Sequence, residues 1–178
     1  MSTTPNQTDP WLRGPIEGIP APLLPIAQAF IAASEDIEGA MAATSPDEVS
    51  ARPGGVASLG FHLAHLAGST DRLLTYARGE SLSPSQRDAL LRERAIADAR
   101  PSAEELVEAV KEAFRRGLSQ LAGTDEATLS HPRAVGRAQS PSTVLGLLFH
   151  AAEHAARHTG QIVTTAKLTR GLSDTLTP

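Results

Sequence analysis

The sequence predicts an all-α protein, a four-helix bundle with a short extra helix between the second and third long helices. Three observations carry this. Apolar residues recur at helical spacing in four long segments, and the thirteen prolines and fourteen glycines cluster at the amino terminus and between those segments. Hydrophobic residues make up 40% of the chain but aromatics only 3%, so Leu, Ile, Val and Ala must fill the core, which suits closely packed helices. At 178 residues the chain fits one bundle-sized domain, placed over residues 21–178.

Residues 1–20 mix Pro, Gly, Thr and Asn around a lone Trp11 and read as a flexible N-terminal arm. From Pro22, the residues Leu23, Ile26, Ala27, Phe30, Ile31, Ile37 and Met41 predict the first helix, ending near Thr44. Ser45-Pro46-Asp47-Glu48 and Arg52-Pro53-Gly54-Gly55 are too rich in breakers for the connection to be helical throughout. The second helix is expected over Val56 to Ala77, with Gly79 ending it. Ser83-Pro84-Ser85-Gln86 is a capping box that opens the short extra helix, to about Ala97, and its charge load places it at the surface. Ser102-Ala103-Glu104-Glu105 is a second capping box, before the stripe Leu106, Val110, Phe114, Leu118 and Leu121 of the third long helix. After a loop from Gly123 to Gln139, Ser140 and Pro141 are expected to start the fourth, which runs through Val144, Leu147, Leu148, Ile162, Val163 and Leu168 towards Gly171. No strand is predicted.

Charge and composition exclude several functions. With 16 basic and 20 acidic side chains the net charge is −4, and no basic cluster is interleaved with aromatics, so a nucleic-acid partner is not expected. The chain has no cysteine, which removes disulfides, a cysteine nucleophile and thiolate ligands, and leaves His, Asp and Glu to bind a transition metal. Met1 to Pro10 lacks the pattern of a signal peptide, and no later stretch is apolar over the length of a membrane span. A soluble, cytoplasmic protein without a membrane partner is the expectation.

Five of the six histidines fall in two helices: His62 and His65 in the second, His150, His154 and His158 in the fourth. Residues three or four apart share a helix face, and here that face overlaps the apolar stripe of Leu147, Ala151 and Ile162. Inward imidazoles need partners, and one divalent cation satisfies several at once. His150 and His158 stand about 12 Å apart along the helix axis, too far to share an ion bonded at about 2 Å. The fourth helix therefore offers one i, i+4 pair and the second helix a third nitrogen, leaving a coordination position open, as catalytic sites do. No carboxylate is placed on the histidine face. Glu153 reads as solvated and paired with Arg157, and His131, before Pro132 in a loop, has no neighbouring ligand type.

Two motifs carry a family resemblance. Gly60-Phe61-His62-Leu63-Ala64-His65-Leu66-Ala67, and His154-Ala155-Ala156-Arg157-His158-Thr159-Gly160-Gln161-Ile162, resemble the second-helix and fourth-helix patterns of the DinB/YfiT-like family of metal-dependent bundle proteins, the DinB superfamily. The breakers Ser45 to Glu48 and Arg52-Pro53 match the family's lead-in to its second helix. By position the resemblance implies His65, His154 and His158 as the metal ligands, with His62, His150 and Gln161 supporting them or packing nearby. Thr159 departs from the Arg common before Gly-Gln, which removes a positive charge beside the site; Gly160 is expected to let a neighbouring helix come close.

The resemblance also implies three classes of function. One is transfer of a low-molecular-weight thiol, of the bacillithiol or mycothiol type, to a small electrophile, with the thiol sulfur taking the open coordination position. The second is metal-dependent hydrolysis of a small molecule, and the third a non-catalytic, stress-linked metal-binding bundle. The absence of a carboxylate on the histidine face favours the transferase. The metal is expected to be one divalent transition ion, zinc or nickel, and the thiol a co-substrate; no catalytic residue is assigned. Alanine-rich helices with few aromatics, and the pairing common among relatives, lead to a homodimer as the expected assembly.

Overall fold

A computed structural model describes residues 8–42, 44–96, 99 and 101–176, with side chains described for all of these except 94 and 172–176. Among the described residues six α-helices follow in order: α1 (Leu24–Met41), α2 (Pro46–Ser50), α3 (Leu59–Ala77), α4 (Pro84–Arg92), α5 (Ala103–Ala122) and α6 (Val144–Leu176). The four long ones are α1, α3, α5 and α6. Each of α1 and α3 packs against both α5 and α6, so α1 and α3 stand on one diagonal of the bundle and α5 and α6 on the other. Phe30 and Ile37 of α1, Leu63 and Leu66 of α3, Val110 and Leu121 of α5, and Leu148 and Ile162 of α6 are buried where the stripes meet. Phe30 stacks on Phe114 with ring centroids 5.1 Å apart. Gly117 makes room for that pair: a Cβ there would come within 2.9 Å of the Phe30 ring.

The helix starts follow local chemistry. Ser83 and Ser102 close capping boxes with Gln86 and Glu105 at the heads of α4 and α5. A third box, Ser45 with Glu48, makes a helix of the five residues of α2 in the proline-rich connection. Ser58 accepts from the Phe61 N–H, so α3 starts at Leu59 rather than at Val56. Gly79 follows the end of α3 with φ of +80°. As expected from its charge, α4 buries none of its residues. A 3-10 turn, Glu93–Ala95, continues it; Ala97, the expected end, lies outside the described residues.

Two expectations need correction. The connection after α5 holds an antiparallel hairpin, β1 (Pro132–Val135) and β2 (Ser140–Thr143), in the register Pro132 to Thr143. Ser140 and Pro141 therefore lie in a strand, and α6 starts later, where Thr143 Oγ1 accepts from the Gly146 N–H. Gly136 and Gln139, with φ of +68° and +52°, turn the hairpin. Arg133 Nε donates to Ala77 O at 2.8 Å and ties the hairpin to the end of α3. As expected, α6 runs through Leu168, whose side chain is 53% exposed.

Of the expected arm, residues 1–7 lie outside the described residues. Within the rest, Pro10 is buried, Ile16 and Ile19 pack on the core, and Arg13 forms an ion pair with Glu35 on α1. Among the described residues no helix is long and apolar enough to cross a membrane.

Candidate metal centre

Where α3 packs on α6, one turn of the first and two of the second bring histidines together. His65, His154 and His158 each offer a nitrogen, and these three nitrogens lie within 4.8 Å of one another. The ring centroids of His154 and His158 are 4.4 Å apart, and His65 sits 5.1 Å from the first and 4.9 Å from the second. Leu63 and Leu66 are buried on either side of His65, and Ala151, Ala155 and Ile162 are buried around the α6 pair. The apolar stripe thus fixes which way the imidazoles face.

The Nδ1 atom of every ring in the triad has a partner. His65 Nδ1 is 2.9 Å from Glu93 Oε2. His154 Nδ1 is 3.3 Å from Ser69 Oγ, whose own hydrogen goes to Leu66 O at 3.1 Å. Ser69 therefore accepts from His154 Nδ1–H. His158 Nδ1 is 3.2 Å from Nδ1 of the buried His62. In the neutral rings, a carboxylate and a hydroxyl oxygen that accept at Nδ1 leave bare lone pairs on the two Nε2 atoms, and His65 Nε2 faces His154 Nε2 at 3.4 Å. Two lone pairs at that separation repel unless a proton or a cation lies between them.

Burial, assisted by the neighbouring imidazoles, favours the neutral form: His154 and His158 are each pushed down to about 4, and His62 is lowered for the same reasons. Neutral imidazole is the form that binds metal. Glu93 is buried at 7% exposure. Burial raises its pKa, but hydrogen bonds from His65 and Arg72 outweigh this and hold the carboxyl below its ordinary value. The donor set fits a transition ion: three imidazole nitrogens converge, and each ring is oriented from behind.

The remaining sequence-predicted residues separate. His62 joins the cluster. His150 is exposed, its Nδ1 lying 3.4 Å from Glu153, and its ring is 5.8 Å from that of His154. Gln161 is exposed. The close approach expected at Gly160 is absent, since a Cβ there would meet nothing within 4 Å. Thr159 is 5% exposed. Glu153 pairs with Arg157 as expected, and His131 is exposed. Sequence reasoning missed Glu93, Ser69 and Arg72. A signal for two of them lay in α3, where a serine and an arginine follow His65 by about one and two turns, on its own face.

A helical bundle whose facing helices present three histidines that could hold a metal ion defines the class of this protein. The chain belongs to the DinB superfamily, which it matches over residues 29–162. Its fold is similar to that in the crystal structure of the conserved protein of locus from Enterococcus faecalis, with a TM-score of 0.68, 19% identity, and coverage of 84% of this chain and 97% of that one. No curated protein matches the sequence.

Proposed function

We propose that this protein is a metal-dependent transferase that joins a low-molecular-weight thiol to a small electrophile, at a site held by His65, His154 and His158. The observation that carries the reading is that the buried carboxylate beside the triad is already committed: Glu93 has one oxygen on His65 and the other on Arg72. Both oxygens are held by side chains of α3, which makes it a poor general base. A reaction whose nucleophile ionises on entry suits such a site better than hydrolysis, which needs proton transfers at each step.

A divalent cation on the three imidazoles, zinc or nickel by donor type, would supply the charge that favours thiolate over thiol. The chain's own residues do the rest. Glu93, Ser69 and His62 orient the three rings, and Phe61, stacked 5.5 Å from His65 with the planes 3° apart, covers one ring face. His65 and His154 are only half-buried, so a small molecule reaches them from solvent and the released proton can leave. The sulfur comes from outside, because the chain has no cysteine.

The test incubates metal-loaded protein with bacillithiol, mycothiol or glutathione and a chromogenic electrophile, beside His154→Ala and metal-stripped controls. Turnover with one thiol, lost in both controls, is the expected result. Ester or amide cleavage without a thiol would replace the reading by hydrolysis. Inactivity across the panel, with metal removal lowering the melting temperature, would make the ion structural.

A further inference from the structure

Glu93 sits in the 3-10 turn after α4, outside the four long helices, yet it is buried against α3. Its two partners, His65 and Arg72, lie on one face of α3, about two turns apart. Between them is Gly68. A Cβ at Gly68 would fall against Glu93 Oε1 and lie 2.7 Å from Arg72 Nη1. A helix-interior glycine is less stable than alanine there, and a buried arginine is costly unless it is paired. Both features are explained by one carboxylate lodged over α3. An ion pair serving only to pin residues 84–95 to α3 would need Arg72 and not His65.

We propose that Glu93 is a positioning residue for His65: gripped by Arg72 and seated over Gly68, it keeps the ring proton on Nδ1 and so leaves Nε2 bare for a metal ion. This rests on the reading of the histidine triad as a metal site. Donor and acceptor chemistry gives it a distinctive consequence. In Glu93→Gln, Arg72, which can only donate, takes the amide oxygen. The amide nitrogen, also only a donor, then faces His65 Nδ1. That atom must accept, the ring proton moves to Nε2, and the metal-facing nitrogen is blocked. Glu93→Ala leaves Nδ1 to water and both tautomers accessible.

The experiment titrates full-length metal-free wild type, Glu93→Gln, Glu93→Ala and Arg72→Leu/Glu93→Gln with Zn²⁺ against a competing chelator. Visible spectra of the Co²⁺ forms and helical content are recorded alongside. Glu93→Gln is expected to weaken binding about 10–100-fold, more than Glu93→Ala does, and to change the Co²⁺ band. The double variant should recover affinity and spectrum in part, because without Arg72 the amide can turn its oxygen to His65. Wild-type affinity in Glu93→Gln, or no recovery in the double variant, would overturn the proposal. Imidazole ¹⁵N shifts of the metal-free wild type test it without any variant: His65 should carry its proton on Nδ1, and a proton on Nε2 refutes it. Failure of the wild type to bind Zn²⁺ or Co²⁺ would instead sink the triad reading and this proposal together.

Discussion

His62 and His158 meet nitrogen to nitrogen, their Nδ1 atoms 3.2 Å apart between α3 and α6. One must donate and the other accept. If His158 is to offer Nε2 to an ion, its proton sits on Nδ1 and His62 accepts it. His62→Leu removes that acceptor from a buried place and should weaken Zn²⁺ binding about tenfold or more. His62→Asn, whose carbonyl can accept, should retain more of the affinity. Calorimetric titration of the two variants checks the order.

The purified protein should carry about one divalent ion per chain, since three imidazoles make one open site. His154→Ala and His158→Ala should each abolish stoichiometric binding with helical content intact, whereas His150→Ala, on the exposed flank, should leave occupancy near that of wild type. Elemental analysis of protein prepared without a metal-affinity tag decides this. Full occupancy in the His154→Ala/His158→Ala double variant would show that the ligands lie elsewhere.

Metal-free protein should lose stability on mild acidification. Burial first, then neighbouring imidazoles, hold folded His154 and His158 at about 4, against 6.5 for an unperturbed histidine. Between those values the unfolded chain binds more protons than the folded one, so stability falls as pH drops through this window and the histidine contribution levels off below it. The melting temperature of the metal-free form, followed from pH 7 to pH 4, should fall steadily. His154→Ala/His158→Ala should flatten the slope, and an equal slope in that variant would count against the cause given.

Two helix-interior glycines should behave differently when changed to alanine. At Gly117, on α5 and not on the two helices that carry the triad, the new methyl meets the Phe30 ring at 2.9 Å, and overpacking there should cost about 1–3 kcal/mol without touching metal affinity. At Gly68 the methyl meets Glu93 and Arg72. That variant should lose metal affinity as well as stability. Urea unfolding and chelator competition, run on both, separate the two effects.

Much of this architecture can be read from periodicity and caps. Ser83 and Ser102 announce their helices because a serine followed three residues later by Gln or Glu satisfies two orphan backbone groups at once. The histidines are legible because i, i+4 spacing fixes their common face, although choosing His65 and His158 over His62 and His150 needed the family resemblance. Glu93 is not legible: in a short, highly charged helix one carboxylate looks like its solvated neighbours, and only the packing of that segment on α3 singles it out. The hairpin is hidden for another reason. Its strands are four residues each, each holds a proline, and so short a stretch shows no alternation to detect.

The stretch from Pro84 to Ala95 stands outside the four-helix frame and still supplies the oxygen behind His65. On the proposal made above, scaffold and tuning are carried by separate lengths of chain: the long helices place the nitrogens, and the segment from Pro84 to Ala95 orients one of them. On that proposal, an exchange confined to this segment should alter zinc affinity while every contact between the long helices stays as it is. Affinity for an ion can thus change by substitutions that leave the packing of the four long helices untouched.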